Sequence, residues 1–389
     1  MKKDFQQETM LINSYNKWVI KISPAVFLSC FLLLSGCLGE DTVSTGTINL
    51  DELPVSVPEP VLTVDAIDTM LFAFLYPYST PLDDGSVLLA DARRSQVYQL
   101  NRDGTGSLVA DNGRGPGEVR FISNLTQGPV DYLYLFDSSN LRVSLFNRDL
   151  TYEREFVLKS PGEGVALEGV YPTAEKGLFI ADGIDPRHFP VLDPDPVRVI
   201  GFYHQQEESY SNWIRVPDRR IAFTIINGEV QGFRQVPFMP KTHFSMCPDG
   251  GSFYLYWPPS EEIAELSLSM DTMRVIPVVL PEERFLESEK DSLLERWNYP
   301  DAATSRNMQS NFPEIKTPVD RFLVDDLGRF WLRLTRHSPA REWLVLDKEG
   351  VPQRIVQHSK ELDVTHVSSQ NIGIRSDMNM VFSFYEWDE

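Results

Sequence analysis

The feature that most constrains the fold of this chain is a recurring unit of strand, turn and strand. The clearest copy opens with a turn at residues 83–85, runs as a strand over 86–91, turns again at 93–96 and ends with a strand over 97–100. The same layout returns over residues 132–146, about 47 residues further on. Short apolar runs separated by Asp-Gly-type turns are typical of antiparallel strands joined by hairpins. The repeat therefore predicts an all-β fold.

Weaker copies of the opening turn and strand bring the set to six. They lie at residues 176–182, 249–256, 326–332 and 377–384. A spacing near 45 residues with about four strands per unit is typical of a β-propeller blade. We therefore predict a six-bladed β-propeller over residues 61–389. We also expect residues 60–67 to pair with the final blade near 378–387, because closure of the ring by both termini protects strand edges.

Two intervals between copies are longer than one blade, and each contains an insertion. Residues 221–226 and 229–236 flank Asn227-Gly228, a pair that supplies the positive φ angles of a type I′ hairpin turn. Residues 282–297 instead have a helical apolar period. The sequence thus predicts one inserted hairpin and one inserted helix that packs on a face of the propeller. The apolar side of the predicted helix consists of Phe285, Leu286, Leu293, Leu294 and Trp297.

A glycine-rich segment at residues 113–118, Gly-Arg-Gly-Pro-Gly-Glu, superficially resembles a phosphate-binding loop. A dinucleotide-binding fingerprint needs a small residue at Glu118, and no Lys-Ser/Thr pair follows as a P-loop requires. The glycines are better explained as turn residues in a crossover between two blades.

Metal-binding and catalytic motifs are sparse in the sequence. The six histidines lack the spacing of zinc ligands, and no Gly-x-Ser-x-Gly nucleophile elbow is present. Asp182, Asp185, Asp193 and Asp195 are the first candidates for a calcium site of carboxylate oxygens, although turn chemistry explains the same aspartates. The metal site is therefore left unknown, and calcium is the one cofactor considered. The histidines are His188, His204, His243, His337, His358 and His366.

Aromatic residues are plentiful and fall into two groups. Those in the predicted strands, such as Tyr98, Phe330 and Trp331, are expected to pack between blades. Those in residues 203–213 and 257–259 lie outside the predicted core strands, so they are candidates for a carbohydrate- or peptide-binding surface.

The N-terminus resembles a bacterial lipoprotein signal. Lys17 and Lys21 precede an apolar run over residues 24–34, which closes on Leu-Ser-Gly followed by Cys37. At about 1.5 Å per residue this run is too short to span a hydrocarbon core of about 30 Å. We therefore expect residues 1–36 to be a cleaved signal peptide and Cys37 to carry the lipid anchor.

Residues 37–60 are predicted to be an acylated cysteine followed by a flexible tether, because they are acidic, polar and poor in large apolar side chains. Loss of the leader removes Cys30, and acylation uses Cys37, so Cys247 has no disulfide partner. The formal charge of −20 argues against nucleic-acid binding and against electrostatic membrane binding. Membrane attachment is therefore expected through the lipid alone.

Two stretches carry a family resemblance. Residues 113–118 with Phe121 and Asp137, and residues 322–331, resemble the six-bladed β-propeller lipoproteins of Bacteroidetes-like bacteria, relatives of NHL-repeat propellers. The resemblance spans about residues 61–387 and implies a lipid-anchored propeller. Glu40-Asp41 resembles the acidic export signal of surface lipoproteins in these bacteria, which favours an outer-membrane location, periplasmic or surface-facing.

No functional site is legible in the sequence, so the expected function rests on the fold, which does not define a ligand. The leading hypothesis is a noncatalytic cell-envelope module that binds a protein, peptide or glycan. The alternative is a propeller enzyme, either a lactonase-like metal-dependent hydrolase or a lyase, with its site on the central axis. An axial metal site would need several Asp, Glu, Asn or His groups converging on one point.

Overall fold

The structure, a computed structural model, describes most of the chain after residue 45. The described residues are 46–67, 70–128, 132–162, 165–184, 197–219, 221–226, 229–297, 309, 312–376 and 380–386. Cys37 and the predicted signal peptide lie outside them, as do Asp185, Asp193, Asp195 and His188.

Six antiparallel sheets surround a central axis, which confirms the predicted six-bladed propeller. Four short strands come before the first blade: β1 (Val55–Ser56), β2 (Pro60–Val64), β3 (Ala66–Ile67) and β4 (Met70–Leu71). Blade 1 consists of β5 (Leu75–Pro81), β6 (Val87–Asp91), β7 (Gln96–Leu100) and β8 (Gly106–Ala110). Blade 2 consists of β9 (Ile122–Gln127), β10 (Leu133–Asp137), β11 (Arg142–Phe146) and β12 (Tyr152–Val157).

The middle of the chain forms two further regular blades with the inserted hairpin between them. Blade 3 consists of β13 (Ala166–Pro172), β14 (Leu178–Ile184), β15 (Val197–His204) and β16 (Ser209–Pro217). The hairpin, β17 (Ile221–Ile226) and β18 (Glu229–Gln235), lies where the sequence predicted it. Blade 4 consists of β19 (His243–Met246), β20 (Ser252–Trp257), β21 (Glu262–Ser267) and β22 (Thr272–Pro277).

The inserted helix precedes the last two blades. A two-residue ladder joins β23 (Glu283–Arg284) to β24 (Ile315–Lys316), and the helix α1 (Glu287–Trp297) lies between these strands in the chain. Blade 5 consists of β25 (Val319–Val324), β26 (Phe330–Leu334), β27 (Arg341–Leu346) and β28 (Pro352–His358). Blade 6 has β29 (Leu362–Val367), β30 (Asn371–Ser376) and β31 (Phe382–Glu386).

The helix is shorter than predicted. It begins at Glu287 rather than at residue 282, because Glu283 and Arg284 are extended in β23. Glu289 Oε2 accepts a hydrogen bond from the Leu286 backbone N–H at 3.1 Å, in the manner of an N-terminal capping residue. Leu286 is 45% exposed, so its assignment to the packed side was wrong, whereas Phe285 is 3% exposed.

The ring is closed by both ends of the described chain, as the sequence predicted. Strand β2 pairs antiparallel with β31, with Leu62 opposite Phe384, and supplies the outermost strand of blade 6. Strand β1 adds in parallel to β28 of blade 5. Both pairings cover edges that would otherwise be open to another chain.

The folded part of the chain begins earlier than the predicted boundary at residue 61. Leu50 is 5% exposed and packs in the core between blades 4 and 5. The Ile48 N–H donates to the Val279 carbonyl at 2.9 Å. The tether predicted over residues 37–60 is therefore too long at its C-terminal end, because its isolated Ile and Leu side chains bury apolar surface against the propeller.

Large apolar side chains pack between neighbouring blades. Trp331, Trp343 and Phe330 are 0% exposed, which confirms the packing role expected for the aromatic residues in strands. Full burial of each such side chain contributes on the order of 2–3 kcal/mol from apolar transfer.

Two buried aspartates tie the crossover loops to the blades, and we call them the loop-closing aspartates, Asp91 and Asp137. Asp91 accepts hydrogen bonds from the backbone N–H groups of Ala73 and Phe74, and of Arg93 and Arg94 in the next turn. Asp137 accepts in the same way from the Arg120 N–H at 3.0 Å and from the turn that follows it. Each carboxylate thus fixes the start of an innermost strand.

The glycine-rich segment 113–118 is a crossover between blades 1 and 2, as predicted. The Gly115 N–H donates to Glu118 Oε2 at 2.6 Å, so a carboxylate of the chain itself takes the place that an anion would occupy in a phosphate loop. A Cβ atom at Gly113 would lie 1.9 Å from the same oxygen, which explains the glycine there.

Candidate central-channel site

A cavity of about 1020 Å³ lies at the centre of the ring. Residues of all six innermost strands line it, namely β5, β9, β13, β19, β25 and β29. Its volume is at the upper end of the range of small-molecule sites. We call it the central channel and use it as the reference for the residues described below.

One arc of the channel wall contains Arg321, Arg333 and Asp363. Asp363 of β29 lies 2.6 Å from Arg333 Nη1 and 3.1 Å from Arg321 Nη1. Arg341 and Arg375 reach the same carboxylate at 3.3 and 3.6 Å. We call these residues, together with Asp320, the arginine cluster.

Four arginines and two aspartates form the arginine cluster. Of these, Arg321, Arg333, Asp320 and Asp363 line the channel. Arg333 also binds Asp320 through Nε at 2.5 Å and Nη2 at 3.0 Å. Burial raises the pKa of Asp363, but the surrounding arginines outweigh it and hold that pKa below its usual value. Asp363 therefore stays ionised around neutral pH.

A second ion pair lies in the wall on blade 3. The guanidinium of Arg198 makes two hydrogen bonds to the carboxylate of Asp182, which is 1% exposed. Burial disfavours the guanidinium charge, yet Asp182 raises the pKa of Arg198 overall. Asp182 was predicted as a calcium ligand or a turn residue. Asp182 is not a turn residue, because it lies within β14. Its carboxylate is paired with the guanidinium of Arg198.

His243, the first residue of β19, lies in the wall between these two groups and is 6% exposed. Burial lowers its pKa well below the usual value, and Lys241, Arg198 and Arg333 lower it further. A hydrogen bond to the Val319 backbone acts in the opposite direction. The imidazole is therefore neutral at pH 7, and the charges that act on it are positive.

Two polar atoms in the channel wall have no hydrogen-bond partner among the described residues. They are Nε2 of His243 and Oδ1 of Asn124, a residue of β9. The His243 ring packs between Tyr256, with centroids 5.9 Å apart, and Phe322, at 6.4 Å. A buried polar atom without a partner costs about 1–3 kcal/mol, which marks these positions for explanation.

A neighbouring part of the wall contains a chain of hydrogen bonds between blades 1 and 6. Ser79 Oγ lies 2.6 Å from His366 Nδ1, and His366 Nε2 lies 2.7 Å from Asn371 Oδ1. Ser79 Oγ also donates to Thr365 Oγ1 at 2.6 Å. Burial lowers the pKa of His366 to about 4, so this ring is also neutral at pH 7.

The remaining predicted site residues lie elsewhere. His204 bonds Ser211 on blade 3, His337 is on the surface beside Glu289, and Trp343 Nε1 donates to His358. No three His, Cys, Asp or Glu side chains within the described ranges are placed to hold one metal ion. In the same ranges no helix is long and apolar enough to span a membrane.

The prediction that residues 203–213 lie outside the core strands is wrong. Residues 203–204 belong to β15 and residues 209–213 to β16, and Tyr203 is 1% exposed. The Tyr210 ring stacks on Trp213 with centroids 5.3 Å apart and lies tilted against Tyr203 at 4.9 Å, so the three rings pack with one another. In residues 257–259, Trp257 ends β20 and Pro258 is buried. Phe121, which is 54% exposed, lines the channel together with Tyr76, Tyr171, Phe244 and Phe322.

Comparisons with known proteins place the chain by fold alone. No family model and no curated protein matches it. A member of the DUF4221 family from Bacteroides vulgatus is 8% identical with a TM-score of 0.49, covering 85% of this chain and 97% of that chain. A gluconolactonase from Xanthomonas campestris is 13% identical with a TM-score of 0.42, covering 83% and 87%.

A calcium-binding protein of the regucalcin type from Agrobacterium tumefaciens is 9% identical with a TM-score of 0.42, covering 86% of this chain and 97% of that chain. All three similarities are too distant to assign a ligand or an activity. The assignment of the fold class rests on the six radial sheets themselves.

Proposed function

We propose that the protein is a lipid-anchored cell-envelope propeller that binds its ligand in the central channel. The observation that carries the proposal is the composition of the channel wall. All six innermost strands contribute polar or charged side chains, and two of the buried polar atoms lack partners within the described residues. A wall built only for packing would be apolar, since buried charges and unpaired polar atoms are costly.

Ligand binding in the channel is tested with a substitution that fills the channel. Ser245 of β19 lines the channel, and Ser245→Trp would place a large ring in it, whereas Ser269→Trp adds the same ring to an exposed turn. We expect a panel of oligosaccharides and short peptides to yield a ligand that raises the melting temperature of the wild type and of Ser269→Trp. Ser245→Trp should lose that shift. A ligand that stabilises all three proteins equally would contradict binding in the channel.

The lipid anchor is supported by the position of Cys37 after a short apolar run and small residues. Cys37→Ser should leave the propeller folded and move it from the membrane fraction to the soluble fraction of the cell envelope. Cys247→Ser is the control, because that buried thiol lies within blade 4. Retention of Cys37→Ser with the membrane would rule out the anchor, and protease treatment of intact cells would then report on a surface or periplasmic location.

A second function, ester hydrolysis, is favoured by one specific observation. Ser79, His366 and Asn371 have the order of a nucleophile, a base and a residue that orients the base. If Asn371 Oδ1 accepts the Nε2 proton, Nδ1 of the neutral ring is left as an acceptor facing the Ser79 hydroxyl, and it competes with Thr365 Oγ1 for the single proton of that hydroxyl. Ser79 and His366 both line the channel, so an acyl group bound there would be within reach.

Hydrolysis is tested by the reactivity of Ser79. A fluorophosphonate probe should label the wild type and Ser123→Ala, whose hydroxyl lines the same channel, but not Ser79→Ala. Asn371→Ala should slow labelling by about ten-fold or more because the ring loses its orientation. Absence of labelling in the wild type, or equal labelling of Ser79→Ala, would show that the hydrogen-bonded chain only joins blades 1 and 6.

A further inference from the structure

Two buried polar atoms of the channel wall, His243 Nε2 and Asn124 Oδ1, are not explained by the fold. His243 is 6% exposed and begins β19 of blade 4, and Asn124 lies in β9 of blade 2. Both residues line the channel, and neither atom has a hydrogen-bond partner among the described residues. An unpaired buried polar atom costs about 1–3 kcal/mol, so stability gives no reason to keep it there. A ligand that bonds to both atoms gives such a reason.

The surroundings of His243 determine which ring nitrogen carries the proton. The ring donates a hydrogen bond to the Val319 backbone, and Nε2 has no partner, so Nδ1 is the donor. The lowered pKa of His243 keeps the ring neutral at pH 7, which leaves a lone pair on Nε2. Asn124 Oδ1 is likewise an acceptor. Both positions therefore require a hydrogen-bond donor from the ligand.

The charges near His243 favour a neutral donor at this position. Lys241, Arg198 and Arg333 all act on the ring and disfavour a positive charge beside it. An ammonium or guanidinium group of a ligand is therefore disfavoured there. An ionised carboxylate has no proton to donate, and the channel lining holds more carboxylates than cations. The ligand group at His243 is therefore a hydroxyl or an amide N–H.

Ion pairs occupy many of the charged side chains of the wall. Asp182 pairs with Arg198, and Asp320 and Asp363 pair with Arg333. A charged ligand has to compete with these pairs, and separating a buried pair is costly. A ligand that donates to the two unpaired acceptors displaces no such partner, so a neutral ligand gains more from this wall than a charged one.

The rest of the wall favours a ligand rich in hydroxyl groups. Serine and threonine residues of β5, β9, β19 and β29 line the channel, and a hydroxyl can both donate to them and accept from them. Ser245 follows His243 by two residues on β19, so both side chains lie on one face of that strand, about 6–7 Å apart along it. Phe121, just before β9, adds an exposed ring that can cover the apolar face of a sugar.

We propose that the central channel binds a neutral saccharide whose hydroxyl groups donate hydrogen bonds to His243 Nε2 and Asn124 Oδ1. This inference rests on the proposed function, because it names the ligand class of the same channel. It assigns His243 and Asn124 as the residues that select a ligand that donates hydrogen bonds and carries no charge.

The ligand class is tested by calorimetry on the full-length protein purified in detergent. The neutral probes are maltotriose, cellotriose, mannotriose and triacetylchitotriose, and the comparison probes are N-acetyl-trialanine amide and trigalacturonate. We expect at least one neutral trisaccharide to bind about ten-fold or more tightly than both comparison probes, as the gain of one buried hydrogen bond provides. The inference is overturned if no neutral trisaccharide binds, or if either comparison probe binds as tightly as the best of them.

The role of His243 is tested with two variants of similar shape. His243→Asn retains a donor for the Val319 carbonyl but has no atom at the Nε2 position, so the affinity for the best trisaccharide should fall by about ten-fold. His243→Gln places an amide at the Nε2 position and should keep the affinity within about three-fold of the wild type. His204→Asn, the same change at a histidine that bonds Ser211 on blade 3, is the control. Equal losses in the two His243 variants would assign the ring to packing and overturn its role as an acceptor.

Asn124→Leu distinguishes a role in ligand binding from a role in the fold. Removal of an unpaired buried oxygen should raise the melting temperature of the unliganded protein by about 2 °C or more, and weaken binding of the best trisaccharide by about ten-fold. A lower melting temperature with unchanged affinity would assign Asn124 to the fold and overturn its role in binding.

Ser245→Trp separates the failure of this inference from the failure of the proposed function. If the trisaccharide binds Ser245→Trp as tightly as it binds the wild type, the ligand is not in the channel and the proposed function fails. If binding is lost in Ser245→Trp but unchanged in His243→Asn and Asn124→Leu, the channel still binds the ligand and only the assignment of the two acceptors fails.

Discussion

The loop-closing aspartates and the arginine cluster use the same buried carboxylate in opposite ways. Asp91 is 0% exposed and is satisfied mainly by backbone N–H groups from the loops around it. Asp363 is 6% exposed and is satisfied by guanidinium groups from four strands. The first arrangement fixes loops and adds no cation to the channel. The second gathers four guanidinium groups around one carboxylate in the wall of the channel.

The comparison teaches that burial of a carboxylate does not indicate its role, whereas the identity of its partners does. Backbone N–H groups are already part of the fold, so Asp91 and Asp137 serve stability. Replacement of a buried network of charged residues by apolar side chains is often neutral or stabilising, so such a network is a weak source of stability. Because Asp363, Arg321 and Arg333 line the central channel, we infer that they serve a function there.

The largest expected effect is on the stability that the loop-closing aspartates provide. Asp91→Ala should lower the free energy of unfolding by about 3 kcal/mol or more, because several buried N–H groups lose their acceptor at once. Urea denaturation measures the loss. Asp103→Ala, in an exposed turn, is the control and should have a much smaller effect. A loss for Asp91→Ala no larger than that of the control would remove the loop-closing role.

The second prediction distinguishes the two kinds of carboxylate by how the cost of their replacement depends on salt concentration. Asp363→Asn should cost about 2–4 kcal/mol at low ionic strength, because it removes the carboxylate charge that the four arginines share. That cost should shrink as sodium chloride rises from about 0.05 M to about 0.5 M, since added salt screens like charges. The cost of Asp91→Ala should stay constant over the same range. Parallel salt responses of the two variants would contradict the distinction.

The smallest effect tests whether charge or shape matters within the cluster. Arg341 is 3.3 Å from Asp363 through Nη1 and donates to the Lys360 carbonyl through Nη2 at 2.8 Å. Arg341→Lys keeps the charge but loses the planar fork, so we expect a loss of about 1 kcal/mol or less. Thermal unfolding of Arg341→Lys measures the loss of stability. Arg148→Lys, the same change at an exposed arginine, is the control. A loss as large as that of Asp363→Asn would mean that geometry dominates.

The same contrast shows what the sequence alone can reveal. Asp91 and Asp137 end equivalent strands of two similar repeats, so the periodic pattern places them and the fold together. The ring closure by β2 and the hairpin at β17 and β18 follow from the same local rules.

The arginine cluster has no such local signature. Its members come from β25, β26, β27, β29 and β30, and only the closing of two blades around the axis brings them together. Ser79 and His366 are likewise 287 residues apart in the chain. A pattern search along the sequence cannot detect pairs at that separation. The prediction for the aromatic residues over 203–213 was wrong for the opposite reason, because strand pairing packs together rings that the sequence analysis placed in a loop.

The measurement that tests the central claim most directly is the pKa of His243 with and without ligand, followed by NMR of ¹⁵N-labelled histidine side chains. Without ligand this pKa lies well below 6.5 because of burial and the nearby cations. A ligand bound in the channel should change this pKa, because it replaces the surroundings of the imidazole. His243→Asn identifies the signal. A His243 pKa unchanged at a saturating concentration of a ligand from the panel of oligosaccharides and short peptides would contradict the account.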